Sequence, residues 1–190
     1  QGLLKRYSDI TQVDMSKGEW LVLSSANYFL EDAKDLCEIQ GWYYQYKGIN
    51  SVPLKLLLAL NNWEHWRKGE LLNHLEIKNI YQYLGSNVLV GFQKGKTLHS
   101  DAKYTLKQCE EQHGLFTDKV WYEAFEGLDP ITETYIRNMR ANGETLNKNP
   151  RIKMSTIHAA KGGEADNVLL MQDLTGAAIE TFSHDPDELH

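Results

Sequence analysis

Apolar and polar positions near the start of the chain follow the periods of a strand, a helix and a second strand. Residues 19–25 form an apolar run that ends in small polar residues, and residues 42–46 form an aromatic-rich run, so both are predicted to be strands. Residues 28–40 have apolar side chains at helical spacing and a charged outer face, which predicts a helix. Its predicted buried positions are Leu30, Ala33, Leu36 and Cys37.

This predicted helix has candidate signals at both ends. Ser25 or Asn27 can cap its start, and Gly41 can end it, because glycine adopts the left-handed conformation that follows many helices. A further short strand is expected at residues 3–7. The order strand, helix, strand is the building unit of a parallel α/β sheet.

The middle of the chain has helical periodicity. Pro53 opens a helix with a broad apolar face, and Asp129-Pro130 is a typical helix start, a capping side chain followed by proline in the first turn. One short strand is expected at residues 88–92. The predicted helices cover residues 53–67, 71–84, 101–112, 118–125 and 130–140.

Strand periodicity returns near the end of the chain. Ile152 and Met154 alternate with polar residues as in a half-buried strand, and Gly162-Gly163 breaks this pattern. Residues 168–171 are continuously apolar, which predicts a strand covered on both faces. The chain is thus predicted to be an α/β protein whose parallel sheet is interrupted by a mostly helical insertion. The three segments are residues 1–48, 49–149 and 150–190.

Composition and charge are those of an ordinary globular protein. The chain has 190 residues and a formal net charge of -6, so a nucleic-acid partner would be held by a local basic patch. Cys37 and Cys109 are far apart and lack metal-ligand spacing, which favours reduced thiols in a cytoplasmic protein over a disulfide. No apolar run reaches the roughly 18 residues of a membrane helix, and no signal peptide is visible. The two ends of the sequence suggest a piece of a longer protein.

Several common catalytic motifs are missing from the sequence. It has no His-x-x-x-His or Cys-x-x-Cys pair for zinc, no Gly-x-Ser-x-Gly nucleophile turn and no Gly-x-x-x-x-Gly-Lys-Ser/Thr phosphate loop. We therefore expect no metal site and no self-contained active site in this chain.

The best candidate for a site is the polar, glycine-rich loop that follows Met154. Thr156 and His158 can donate hydrogen bonds to phosphate oxygens, and Lys161 adds positive charge. Glu164 offers a carboxylate of the kind that accepts hydrogen bonds from ribose hydroxyls. A hairpin turn with solvated polar side chains explains the same pattern, so both interpretations stay open at this point.

Residues 155–170 resemble motif V of the UvrD/Rep family of superfamily 1 DNA helicases. They read Ser-Thr-Ile-His-Ala-Ala-Lys-Gly-Gly-Glu-Ala-Asp-Asn-Val-Leu-Leu, and the family form is Thr-x-His-x-Ala-Lys-Gly-Leu-Glu-Phe followed by a hydrophobic strand. Gly163 and Ala165 depart from that form. Family members have two RecA-like motor domains, each with a helical insertion, and bind ATP in the cleft between them. The resemblance implies that this chain is part of the second one, a partial RecA-like sheet domain of the P-loop NTPase type.

The resemblance also implies separate roles for the loop residues. Thr156 and His158 would contact the phosphate backbone of single-stranded DNA, with Lys161 as a further cation beside it. Glu164 would bind the ATP ribose, and Gly162 would shape the turn.

Residues 20–30 fall where the family has motif IV, commonly Leu-Tyr-Arg-Thr-Asn after the strand. Asn27 matches. Ser24 and Ser25 stand where a tyrosine would stack on adenine and an arginine would reach the triphosphate. Ser25 is therefore a candidate ATP ligand, although a role as an ordinary helix cap explains it equally well.

Two further groups of residues are candidates for DNA contact. A basic run leads into the motif, and a solvated charged face is the alternative explanation for it. The aromatic side chains of the insertion can stack on bases, or form its core as their helical spacing indicates. The basic residues are Arg137, Arg140, Lys148, Arg151 and Lys153, of which Arg151 and Lys153 lie closest to the motif. The aromatic residues are Trp63, Trp66, Tyr81, Tyr83, Trp121 and Tyr122.

The function implied by the resemblance is that of an ATP-dependent DNA helicase, which couples ATP hydrolysis to movement along single-stranded DNA. Its cofactors would be ATP and Mg²⁺, and its partners single-stranded DNA and the first RecA-like domain of the same full-length chain. The phosphate loop would lie in that first domain and the arginine-bearing motif VI downstream, so this chain alone is expected to bind ATP weakly and not to hydrolyse it. Two alternatives stay open: a helicase-like DNA- or protein-binding module without ATPase activity, and a subunit of a helicase–nuclease.

Overall fold

The computed structural model describes residues 3–89, 98–160 and 164–171. These residues form a mixture of strands and helices, which confirms the predicted α/β class at that level. Short 3-10 turns occur at Ile10–Gln12, Asn27–Leu30 and Ser86–Val88. The strands and helices in chain order are β1 (Trp20–Ser24), α1 (Glu31–Gln40), β2 (Tyr44–Tyr46), β3 (Ile49–Asn50), α2 (Leu54–Arg67), β4 (Leu72–Asn73), α3 (His74–Tyr81), β5 (Lys103–Tyr104), α4 (Leu106–Gln112), α5 (Trp121–Ala124), α6 (Pro130–Ala141), β6 (Ile152–Thr156) and β7 (Asn167–Met171).

The chain separates into two compact units. The first contains the described residues of Gln1–Ser51 and Pro150–His190, and the second contains those of Val52–Asn149. The first unit holds the larger sheet and α1. The second unit holds α2 to α6 and a two-stranded ribbon formed by β4 and β5.

The larger sheet has the strand order β3-β2-β6-β1-β7. Strand β1 pairs in parallel with β6 on one side and with β7 on the other, and β2 pairs in parallel with β6. Strand β3 runs antiparallel to β2, because a tight turn returns the chain directly along the edge of β2. The described sheet is therefore mixed with mostly parallel strands, and the predicted parallel sheet needs the correction that β3 is antiparallel.

One face of the larger sheet is buried and the other is partly open. Register partners on neighbouring strands share a face, so Val22 and Met154 lie together, and only 0% and 1% of their surfaces are exposed. Lys153 pairs with Leu21 and with Gln45 on the opposite face. There Lys153 is exposed and Gln45 is half-buried. The alternation of buried and exposed residues that was predicted around Met154 is confirmed.

Strand β7 does not have the burial on both faces that its apolar sequence predicts. Val168 is 60% exposed and Leu170 is 45% exposed. In the described sheet β7 is an edge strand whose only neighbour is β1. The prediction of a doubly covered strand is wrong for the described residues, because a short apolar run does not report its position within a sheet.

Helix α1 has its predicted buried positions but not its predicted start. Gly41 follows the helix with φ of 67° and donates a backbone hydrogen bond to the Glu38 carbonyl, as expected for a glycine helix end. Neither Ser25 nor Asn27 caps the helix. The chain enters α1 through a 3-10 turn, in which the Tyr28 carbonyl accepts a hydrogen bond from the Glu31 backbone N–H, a donor of the kind that a capping side chain would otherwise satisfy. All four predicted positions are buried: Leu30, Ala33, Leu36 and Cys37.

Two other predicted strands do not form as expected. Residues 3–7 have no regular structure, and the Leu3 and Leu4 side chains are exposed. In the predicted strand at 88–92, Leu89 makes only an isolated bridge to Leu115, and residues 90–92 lie outside the described part of the chain. Apolar residues alone do not make a strand without a neighbouring edge to pair with.

Helix α3 is shorter than predicted because a capping box fixes its start. The Asn73 side chain accepts hydrogen bonds from the backbone of Leu75 and Glu76, while the Glu76 carboxylate accepts one from the Asn73 backbone. Strand β4 ends at Asn73 and pairs with β5, a ribbon that the sequence pattern did not predict.

Helix α2 carries the largest buried side chains of the second unit. Trp63 and Trp66 are fully buried, and their indole groups donate hydrogen bonds of 3.0 and 2.9 Å to the backbone carbonyls of Lys119 and Tyr104. A buried indole needs such a partner, since its N–H would otherwise lose its hydrogen bond to water. For these two tryptophans the interpretation as core residues is confirmed.

The other members of the predicted aromatic group are also mostly core. Tyr81 and Trp121 are buried, and Tyr83 stacks on Phe125 with ring centroids 5.9 Å apart. Tyr122 is the exposed member of the predicted group, and its ring centroid lies 3.7 Å from the guanidinium carbon of Arg137.

Cys37 and Cys109 are both buried, and the two thiols do not form a disulfide, in agreement with the prediction of reduced thiols. Burial raises the pKa of the Cys109 thiol to about 11. None of the helices in the described residues has the length and apolar character needed to span a bilayer.

Candidate functional site

The carboxyl ends of β1 and β6 meet at Thr156. Thr156 is the last residue of β6 and pairs in register with Ser24, the last residue of β1. The chain then turns sharply, because Ala159 and Ala160 both donate backbone hydrogen bonds of 3.0 Å to the Thr156 carbonyl. The backbone of Ile157 also donates to the Ser24 carbonyl, at 3.0 Å. Thr156 is therefore held at a strand end by its own backbone contacts.

The segment after Thr156 is a crossover and not a hairpin. Strands β6 and β7 do not pair with each other, since β1 lies between them and runs parallel to both. Asp166 lies near the amino end of β1, where its carboxylate accepts a hydrogen bond of 3.0 Å from the Glu19 backbone. The interpretation of this loop as a hairpin turn is wrong, because Thr156 and Asp166 lie at opposite ends of the sheet.

A pocket of about 770 Å³ opens at the carboxyl ends of β1, β2 and β6. Its volume is in the range of ordinary ligand sites. None of the described residues that line it carries a carboxylate, and two of them are lysines. This balance of charge favours an anionic ligand. The polar lining residues are Asn27, Gln45, Lys47, Lys153, Ser155 and Thr156.

Lys153 and Gln45 are neighbours across the pocket wall. They are register partners in β6 and β2, so their side chains project from the same face of the sheet. The Gln45 amide donates a hydrogen bond of 2.9 Å to the Asn50 side chain, which fixes its orientation. The ion pairs found among the described residues do not include Lys153. Its charge is thus not neutralised by a described carboxylate.

The two serines at the motif IV position have different surroundings. Ser24 is fully buried, and its hydroxyl donates a hydrogen bond of 2.6 Å to the Ala26 carbonyl. Ser25 is exposed. Of the two, only Ser25 is accessible to a ligand.

The remaining predicted site residues are not gathered at the pocket. His158 and Glu164 are exposed and do not line it. Lys161 and Gly162 lie outside the described residues. Arg151 immediately precedes β6, and its guanidinium donates hydrogen bonds to the backbone carbonyls of Met15 and Gly18. The structure therefore brings together Lys153 and Thr156 of the predicted set, while Arg151 lies at the opposite end of β6.

Sequence reasoning missed three polar residues of the pocket: Asn27 as a wall residue, Gln45 and Lys47. A usable signal was present, because the carboxyl ends of parallel strands meet at one edge of a sheet and Gln45 and Lys47 fall at the end of a predicted strand. What the sequence did not show is that β6 inserts between β1 and β2.

Comparisons with protein-family models, curated proteins and solved structures found no match for this chain. Within the described ranges no group of three or more His, Cys, Asp or Glu side chains is placed to hold a metal ion. The features of this chain that point to a function are the pocket and the sequence of the segment around Thr156.

Proposed function

We propose that this chain is part of an ATP-dependent DNA helicase and contacts the backbone of single-stranded DNA at the carboxyl ends of β1, β2 and β6. The observation that carries the proposal is the pocket, in which Thr156 and Lys153 lie on a surface without carboxylates. The resemblance of residues 155–170 to motif V supplies the class of ligand and the link to ATP.

The lining of the pocket suits a polynucleotide backbone. A threonine hydroxyl and a lysine ammonium are donors that commonly contact phosphate oxygens, and such contacts position DNA without reading its sequence. Leu21, Ala159 and Ala160 form apolar parts of the lining, where a sugar or base edge can lie. We therefore expect binding that depends strongly on salt and weakly on base sequence.

In this proposal ATP acts through the same segment. Glu164 binds the ATP ribose, while the phosphate loop and the Mg²⁺ site belong to the first RecA-like domain of the full-length chain. Ser25 follows the carboxyl end of β1, at the other end of that strand from Asp166, so it is not part of the ribose contact. The segment from Thr156 to Asp166 runs from the carboxyl end of β6 to the amino end of β1. A shift at either of its ends can therefore be passed along one short stretch of backbone, which gives a physical route between ATP and DNA.

One observation favours a second candidate, a helicase-like binding module without ATPase activity. Ser24 is fully buried with its hydroxyl bonded to the Ala26 carbonyl, so this position has no group that can stack on adenine. A chain that binds DNA through the pocket does not need that group. The two candidates share the DNA site and differ in the nucleotide site.

The DNA site is tested by binding of a fluorescently labelled single-stranded oligonucleotide at low salt, followed by anisotropy. Thr156→Val keeps the β-branched shape and removes the hydroxyl, so we expect roughly 3- to 10-fold weaker binding, as for the loss of about one hydrogen bond of ordinary net strength. Thr145→Val is the control, because Thr145 is exposed and does not line the pocket.

The outcomes separate the candidates. If the wild-type chain binds no DNA at low salt, both candidates, the helicase and the binding module, are refuted. If wild type and Thr156→Val bind DNA with equal affinity, the Thr156 hydroxyl does not contribute to the DNA site. A DNA-stimulated ATPase activity of this chain alone would contradict its assignment to the second motor domain. Isothermal titration calorimetry with ATP distinguishes the two candidates. Weak ATP binding supports the helicase, and no detectable ATP binding supports the binding module.

A further inference from the structure

Lys47 has a backbone conformation that is unfavourable for lysine. It is the one non-glycine residue in the described part of the chain with a positive φ, which is 50°, and it is followed by Gly48 with φ of 80°. The pair Tyr46 and Ile49 is in register in the β2–β3 hairpin, so Lys47 and Gly48 form its two-residue turn. Turns of this kind need positive φ at both central residues and favour Asn-Gly, Asp-Gly or Gly-Gly.

Turn chemistry does not explain why lysine occupies this position. A residue with a Cβ atom is less stable in the left-handed region by about 1–2 kcal/mol, and asparagine and glycine are the usual exceptions. Positions at which a residue contradicts its local conformation are concentrated at functional sites. The unfavourable backbone conformation of Lys47 therefore indicates that its side chain has a function.

The ammonium of Lys47 is positioned without being neutralised. Its nitrogen lies 5.0 Å from the ring centroid of Tyr46, a contact that restrains a cation while leaving its charge available. The Lys34 nitrogen lies at the same distance from that ring but is paired with Glu31 at 2.5 Å. Among the ion pairs of the described residues none involves Lys47.

Lys47 also lies beside the strand that carries the motif. Its backbone N–H donates a hydrogen bond of 3.1 Å to the Met154 carbonyl, which extends the pairing of β2 and β6 into the turn. Lys47 and Lys153 both line the pocket, and no carboxylate is present among its described lining residues. Groups of the kind that recognise phosphate are therefore present in the lining: two cations, the hydroxyls of Ser155 and Thr156, and the Gln45 amide.

We propose that Lys47 and Lys153 form a two-cation phosphate site in this pocket, and that lysine is retained in the turn for its charge. The phosphate is a phosphodiester of single-stranded DNA, an assignment that rests on the proposed function. This site adds a phosphate contact from the β2–β3 turn to those proposed for the segment around Thr156. The phosphate of a free nucleotide has the same chemistry, so the experiment distinguishes the two sources.

The test uses Lys47→Asn in the whole chain, because asparagine is favoured in this turn and the variant is expected to fold. We expect a thermal midpoint equal to or above that of the wild type. We also expect about 3- to 10-fold weaker binding of labelled oligo-dT, and a slope of log affinity against log salt that is smaller by about 0.7, the value for one phosphate contact on a single strand. Lys153→Gln is expected to have the same effect on binding.

Lys5→Asn is the matched control, because it removes the same charge from an exposed position that does not line the pocket. If the wild type binds no DNA, the proposed function fails, and titration with inorganic phosphate and with ATP then decides whether the two-cation site exists. If the wild type binds DNA and Lys47→Asn binds it equally well, the proposed function stands and the role of Lys47 is refuted. If only ATP binding depends on Lys47, the site stands and its assignment to DNA fails.

Discussion

The guanidinium of Arg151 donates a hydrogen bond to the backbone carbonyl of Met15, which joins the start of β6 to the segment before β1. A second hydrogen bond, of 3.3 Å, goes to the Gly18 carbonyl. The Trp20 backbone in turn donates to the Arg151 carbonyl at 2.8 Å. The sequence pattern predicted that Arg151 contacts DNA. These hydrogen bonds instead indicate a structural role for Arg151, at the end of β6 that is remote from Thr156.

We therefore expect Arg151→Ala to act mainly on stability. The variant loses charge-assisted hydrogen bonds to two backbone carbonyls, so its free energy of unfolding should fall by about 1–3 kcal/mol in urea denaturation. Arg151→Lys keeps the charge without the planar fork and should recover only part of the loss. If folded Arg151→Ala lost as much DNA affinity as Lys153→Gln with an unchanged unfolding midpoint, Arg151 would belong to the DNA site.

A second prediction concerns the two sides of the larger sheet. Met154 is 1% exposed on the buried face, whereas Leu170 is 45% exposed on the edge strand β7. Met154→Thr leaves a cavity and buries a hydroxyl, so it should lower the free energy of unfolding by about 2–5 kcal/mol. Leu170→Thr should change it by less than about 1 kcal/mol. Comparable losses in the two variants would mean that Leu170 is covered in the folded chain.

The contrast between these two residues shows what the sequence could predict. The alternation around Met154 and the helical spacing in α1 are local patterns, and both predicted the buried residues correctly. The edge position of Leu170 depends on which strands pair, and pairing is a contact between segments far apart in the chain. The periodicity of a sequence does not predict the order of strands in a sheet.

The same limit applies to the candidate site. Thr156 was found because its surroundings in the sequence are distinctive, and Lys153 because it is a cation nearby. Lys47 and Gln45 reach the same pocket because β2 pairs with β6, an arrangement that neither local sequence specifies. Conversely, Arg151 is close to Thr156 in sequence, but a strand of extended backbone separates the two residues.

A third prediction tests the role of the tryptophans in the second unit. Trp66→Phe removes the indole donor and leaves the buried Tyr104 carbonyl without that hydrogen bond, and it also leaves a small cavity. We expect a loss of about 2–4 kcal/mol in the free energy of unfolding, measured by urea denaturation. Tyr122→Phe is the control and should change it by less than about 0.5 kcal/mol, because Tyr122 is exposed and its ring is retained. A stable Trp66→Phe variant with weakened DNA binding would instead support base stacking.

The last prediction concerns pH and the start of helix α6. The Asp129 carboxylate accepts hydrogen bonds of 3.0 and 2.9 Å from the backbone of Ile131 and Thr132, and one of 2.7 Å from the Thr132 hydroxyl. The hydrogen bonds from Thr132 lower the pKa of Asp129 below its ordinary value.

Because this pKa is lower in the folded chain than in the unfolded one, the charged cap stabilises the helix fully above the unfolded pKa. Its contribution is lost as the pH falls below about 4 and through the folded pKa. Asp129→Asn keeps a capping oxygen that does not titrate. The difference between the thermal midpoints of the wild type and of Asp129→Asn should therefore be constant between about pH 5 and 7, where the aspartate is charged in both the folded and the unfolded chain. Below that range the difference should decrease on acidification. Other carboxylates, such as Asp14, affect both proteins equally and cancel in this difference. A difference that stayed constant down to about pH 3 would show that the Asp129 charge does not stabilise the helix.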